Sequence, residues 1–178
     1  MVDIVLQLIS PLVMVAQVAS IGLLVLLAVT AIQKKQNGLS EFINDHALWL
    51  AFVVALAATS GSLFYSEIMQ YEPCKLCWLQ RIFMYPQVIL LGMAAWKKHQ
   101  VIATHSIVLS VIGGSISFYH YLGQTTNLVS LSCGVVGQTV SCSKEFVLDY
   151  GYITIPLMAL TAFVAITLLM ISKKVYNK

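Results

Sequence analysis

The sequence predicts an all-α membrane protein with five transmembrane helices, and three observations carry that reading. Of 178 residues, 59% are hydrophobic and 10% charged, with a mean hydropathy of +0.86; a soluble domain carries about 25% charged residues. The apolar residues fall into five long blocks, 12–32, 47–69, 78–96, 101–122 and 153–172. Each has about 19 to 23 residues, which at about 1.5 Å per residue matches a hydrocarbon core of about 30 Å. Third, the positive residues collect at alternate block ends. In lipid only helices satisfy their backbone within one segment, and the alternating pattern of barrel strands is absent.

The first block has no positive region before it and is too long for the apolar part of a secretion signal. A retained helix is therefore expected rather than a cleaved or peripheral segment. Pro11 fits its first turn, and Gln17 and Ser20 are polar residues within it. The second block carries small-residue seams, Ala51/Ala55, Ala57/Gly61 and Ala58/Ser62, expected to pack helices closely. The third follows Cys74-Lys75-Leu76-Cys77 and opens near Arg81. The fourth has the seams Ser110/Gly114 and Gly113/Ser117 and ends near His120, while the fifth runs into a basic tail.

Connections are short except for 123–152, where 143–150 reads as a short amphipathic helix with Phe146 and Val147 toward lipid. Lys34, Lys35, Lys97, Lys98, Lys173, Lys174 and Lys178 all fall on one side if five helices alternate, out of ten positive residues in total. By the positive-inside rule that side is cytoplasmic, the N-terminus is outside, and both cysteine loops face out. The net charge of +3 and the lack of a basic stripe give no sign of nucleic-acid binding.

All four cysteines lie in those outward loops, as Cys74/Cys77 and Cys133/Cys142. An oxidising compartment lets disulfides persist. A C-x-x-C ring is small and tends to be reactive rather than bracing. The start of the following helix, and Arg81 one turn after Cys77, favour a thiolate at Cys77. Other readings stay open at this point. Four external cysteines also suit two structural disulfides in a non-enzymatic membrane subunit. Zinc fits poorly, because the second pair lacks ligand spacing, and no metal is expected. Arg81 could snorkel to headgroups, His120 could be an interfacial histidine, and Glu67 a solvated rim residue.

The stretch from Tyr71 to Pro86, Y-E-P-C-K-L-C-W-L-Q-R-I-F-M-Y-P, closely resembles the signature of the disulfide bond formation protein B family, DsbB, above all its BdbC-like branch. The motif Tyr119-His120-Tyr121 and the stretch G-Y-I-T-I-P from Gly151 to Pro156 resemble that branch too. The resemblance implies a bacterial inner-membrane thiol:quinone oxidoreductase with a four-helix bundle. Residues 47–178 are then the four-helix redox domain, and 1–46 an extra transmembrane helix with a cytoplasmic loop. It further implies that Cys133 forms a mixed disulfide with a DsbA-like thioredoxin-fold oxidase on the outer side. Cys142 then exchanges with Cys74, Cys77 faces the quinone (ubiquinone or menaquinone), Arg81 binds its ring oxygen and His120 lies nearby. Two features depart from the family pattern: the extra first helix and the tighter spacing of the second pair. A quinone reductase of the vitamin K epoxide reductase type is the enzymatic rival, but it places its C-x-x-C after the loop pair.

Overall fold

The computed structural model describes residues 2–33, 38–97, 101–126, 147–148 and 150–176. They form five helices: α1 (Val2–Gln33), α2 (Gly38–Leu63), α3 (Lys75–Lys97), α4 (Ile102–Thr125) and α5 (Ile155–Tyr176), with a π-helical turn, Phe64–Ile68, closing α2. All five contain a stretch long and apolar enough to cross a membrane. The protein is thus an all-α, multi-pass membrane protein.

Helices α2, α3, α4 and α5 form a ring of antiparallel neighbours. Arg81 of α3 meets Ser62 of α2, His120 of α4 meets Cys74 before α3, and Tyr65 reaches Met158 of α5. Lys173 Nζ donates to the Asn44 carbonyl at 2.9 Å, so the α5 C-terminus lies beside the start of α2. The described basic residues Lys97, Lys173 and Lys174 therefore stand at the end opposite Cys74.

Each ring helix shows why it sits where it does. Helix α4 buries Ala103, Ser106, Ser110, Gly113, Ser117 and His120, a three-and-four spacing that makes one continuous face. Its residues are small, which is how helices approach in lipid without a hydrophobic driving force. At Gly113 a Cβ would collide with the Phe163 ring of α5. Helix α5 is buried on nearly every side, with Phe163, Ile166 and Met170 fully covered, as expected of the helix that touches α1, α2 and α4. Midway along, the buried Gln87 amide oxygen of α3 accepts from Ser106 at 2.8 Å and Ser110 at 3.0 Å.

Helix α1 lies outside the ring, parallel to α5. It starts at Val2, so Pro11 is inside the helix rather than at its first turn. The reason is that the apolar block continues upstream of Pro11 into Val2–Ile9, and a proline in the membrane does not end a helix when neighbours compensate. Its inward stripe runs Ser10, Val13, Gln17, Ser20, Leu23, Leu27 and Thr30.

Candidate functional site

Helix α3 begins at Lys75, earlier than the block at 78 suggested. Cys74 is thus its N-cap, with the Trp78 amide donating to the Cys74 carbonyl at 3.1 Å. Cys77 lies inside the first turn rather than ahead of it. One helical turn apart on one face, the two sulfurs stand 3.5 Å from each other as thiols. The loop before them is shaped by the π turn: Gln70 takes φ +56°, and Tyr71 folds back to stack on the buried Tyr65 with ring centroids 6.2 Å apart.

His120 is not interfacial. It is buried, with Nε2 3.7 Å from Cys74 Sγ and Nδ1 3.1 Å from Gln80 Nε2. A Gln80 amide that donates to Nδ1 leaves the proton on Nε2, facing Cys74. Gln80 is itself buried on α3, and nothing in the sequence pattern beyond its helical phase with Cys77 and Met84 singled it out.

The two thiols differ in surroundings. The hydrogen bond from the Cys77 thiol is the main influence on Cys74; burial opposes it, and the His120 hydrogen bond assists it. Together they bring Cys74 down to about 4 from the ordinary 9.0. The sequence favours a thiolate at Cys77; the geometry adds that Cys74 is the sulfur that His120 faces and the one at the cap. The helix N-terminus acts on the capping residue, and the cap is Cys74.

Arg81 does not snorkel away. Its Nε donates to Ser62 Oγ at 3.0 Å and its Nη2 to the Ser62 carbonyl at 3.1 Å, while Cζ lies 5.2 Å from the Trp78 ring centroid. Tyr85 adds a hydroxyl donor to Ser62 Oγ at 3.4 Å. Ser62 and Tyr85 are functional candidates that the sequence did not reveal, because their partners come from different helices. Glu67 is exposed at the rim, accepting from Ser66 at 3.1 Å.

These residues open on a cavity of about 430 Å³ that runs along Cys74, Cys77, Arg81, Tyr85 and His120. Its far walls are apolar, and part of the room comes from Ala57, Ala58, Gly61 and Ser62. The Ala57/Gly61 seam borders the cavity, and a Cβ on Gly61 would meet nothing within 4 Å, whereas Ala58 packs against the core and Ser62 meets Arg81 of α3. The Ala51/Ala55 seam does pack, with both residues fully buried. Val147 lines the cavity rather than facing lipid, and neither it nor Leu148 is helical; the rest of the expected surface helix, Phe146 included, lies outside the described residues apart from Tyr150, which sits in a turn. Cys133 and Cys142 lie outside the described residues.

Two kinds of group fit this arrangement. An apolar-walled cavity with an arginine and a tyrosine hydroxyl at one end suits a flat molecule with polar ring oxygens and an apolar tail. Cys74, Cys77 and His120 also place their ligand atoms within 4.8 Å of one another, close enough to share a metal ion.

Comparison with known proteins gives the same direction. The family model for disulfide bond formation protein DsbB matches residues 44–172. A probable disulfide formation protein C 1 of Bacillus anthracis is 45% identical over 123 residues, covering 69% of this chain and 88% of the relative. Disulfide bond formation protein C of Bacillus subtilis is 41% identical over 124 residues, with the same coverage. A probable disulfide formation protein of Chlamydia pneumoniae is 36% identical over 137 residues, or 77% of this chain and 98% of the relative. No solved structure matches the chain.

Proposed function

Because the chain belongs to the DsbB family of disulfide bond formation proteins, we propose that it reoxidises an extracytoplasmic thioredoxin-fold oxidase and delivers the electrons to a membrane quinone. The observation that carries this reading is the shared cavity: one dithiol, one fixed guanidinium and an apolar chamber lie together at one end of the bundle.

The thiol steps balance by exchange. The partner's thiolate attacks the Cys133–Cys142 disulfide at Cys133 and expels Cys142; the partner's second thiol then releases Cys133. The partner leaves as a disulfide and the loop pair holds two electrons. Cys142 attacks the Cys74–Cys77 disulfide at Cys74, Cys77 leaves, and Cys133 closes the bond to Cys142. The electrons now reside on Cys74 and Cys77.

Here the site's own residues take over. His120, oriented by Gln80, holds charge on Cys74 through Nε2–H. Cys77 keeps its hydrogen bond to that sulfur and lines the chamber. Arg81, braced by Ser62, presents a fixed positive charge at the chamber's polar end, where negative charge develops on a ring oxygen. A quinone bound there supplies the sink for two electrons and two protons.

Removing the guanidinium tests this role. Arg81→Ala is expected to raise the quinone KM by about tenfold or more, the scale of a lost charge-assisted hydrogen bond. Single-turnover exchange with the dithiol partner should stay within about twofold. Unchanged quinone kinetics in this variant would remove Arg81 from the site.

A further inference from the structure

The chamber beside Cys77 is not enclosed by the four-helix ring alone. Leu12, Val13 and Ala16 of α1 stand on its wall. Helix α1 precedes the segment that the family model matches, which starts at residue 44. The extra helix therefore reaches the functional cavity rather than merely flanking the bundle.

Its placement is fixed by named contacts. Gln17 Nε2 donates to Thr161 Oγ1 of α5 at 3.4 Å, and Tyr152 donates to Gln17 Oε1 at 3.3 Å. Polar contacts of this kind set helix register in lipid, where apolar side chains find lipid as good a neighbour as protein. Gln17 lies one turn after Val13 and next to Ala16, so its anchoring sets which side chains face the chamber. Below it, Ser20 and Thr30 bury their hydroxyls on their own helix, donating to the Ala16 carbonyl at 2.7 Å and the Leu26 carbonyl at 2.9 Å. These two hydroxyls are thus turned back onto their own helix, away from lipid.

The α1 wall is wholly apolar, whereas the ring-facing end carries Arg81 and Tyr85. Leu12 is 67% exposed, so it stands where the chamber meets lipid, and Val13 and Ala16 lie deeper. We infer that α1 forms the tail-binding wall of the quinone site: Leu12, Val13 and Ala16 contact the prenyl chain next to the ring and narrow its entry from the bilayer. This rests on the quinone reading given above and deepens it. Helix α1 acts on binding and discrimination, while the thiol chemistry stays with α3 and α4.

The test is photolabelling of the full-length protein in lipid nanodiscs with two azido-quinones, one bearing a short prenyl tail with the azide on that tail and one tail-less with the azide on the ring. Peptide mapping should place the tail label on 12–16 and the ring label on 77–85. Ala16→Trp fills the wall and should weaken binding of the prenylated quinone by about tenfold while leaving the tail-less one within about twofold, the selectivity a lost apolar pocket confers. Val13→Ala, a change that the fold tolerates more easily, should weaken binding of the prenylated quinone by a few-fold and leave the tail-less one within about twofold; equal effects on both would count against the wall. Ring label on 77–85 with no tail label on 12–16, or equal effects of Ala16→Trp on both quinones, overturns the α1 wall and leaves the quinone site standing. Absence of label from both segments overturns the quinone reading itself.

Discussion

At the residue scale, the unequal treatment of two neighbouring sulfurs governs the chemistry. Cys74 caps a helix, accepts from Cys77 and faces His120, and its thiol is lowered to about 4. A lowered thiol pKa stabilises the folded dithiol above the ordinary thiol range, and that contribution is lost as pH falls through the folded value. In a Cys133→Ser/Cys142→Ser background, thiolate absorbance near the ultraviolet thiolate band should therefore persist from about pH 8 to about pH 5 and collapse near pH 4. A midpoint near pH 8 would contradict the arrangement. Stabilising the dithiol also makes the Cys74–Cys77 disulfide a stronger oxidant, the direction the proposed relay needs. At this scale the sequence revealed identities but not partners. Spacing and resemblance singled out Cys74, Cys77 and Arg81, and these three line one cavity. Gln80 and Ser62 were not legible, because an amide and a hydroxyl gain meaning only from what another helix places against them. For the same reason the cap was not legible: moving the helix start by a few residues exchanges which cysteine caps the helix.

At the scale of elements, small residues divide into two uses that look alike in a sequence. Gly113 brings α4 against the Phe163 ring of α5, and no side chain fits between them. Gly113→Ala should destabilise the bundle by about 1–3 kcal/mol, the usual cost of overpacking, read as a lower midpoint in detergent unfolding. An unchanged midpoint would show that the ring moves aside freely. Gly61, by contrast, faces open space in the chamber, and the spacing of alanine, glycine and serine does not distinguish a seam from a void. The five hydrophobic blocks were legible because length and composition alone define a span. Their ends were not. The π turn at Phe64–Ile68 and the early start of α3 depend on Tyr65 packing and on the Cys74 cap, which are tertiary facts.

For the whole molecule, the antiparallel ring separates two ends: Cys74 and Arg81 at one, Lys97, Lys173 and Lys174 at the other. The proposed relay puts the basic end in the cytoplasm, as the positive-inside bias expects. Membrane-impermeant maleimide applied to intact cells should then label the Cys133/Cys142 loop after reduction and leave a cysteine introduced at Lys174 untouched. Labelling of the latter alone would invert the topology and deprive the relay of its outer partner. The gathering of these lysines at one end, away from Cys74, was readable from the alternation of charge along the sequence. How α1 lies against α5 was not, since its stripe of Ser10, Ser20 and Thr30 reads as ordinary polar interruption until the facing helix is known.

Cys74 is only 5% exposed. In the proposed relay, the sulfur that takes electrons from the loop pair is thus shielded from water. Small soluble thiols should reduce it slowly, while a tethered loop delivers its own sulfur at high local concentration. The burial works as insulation: it keeps the wire from shorting to whatever reductant drifts past, so that current flows only through the intended contact.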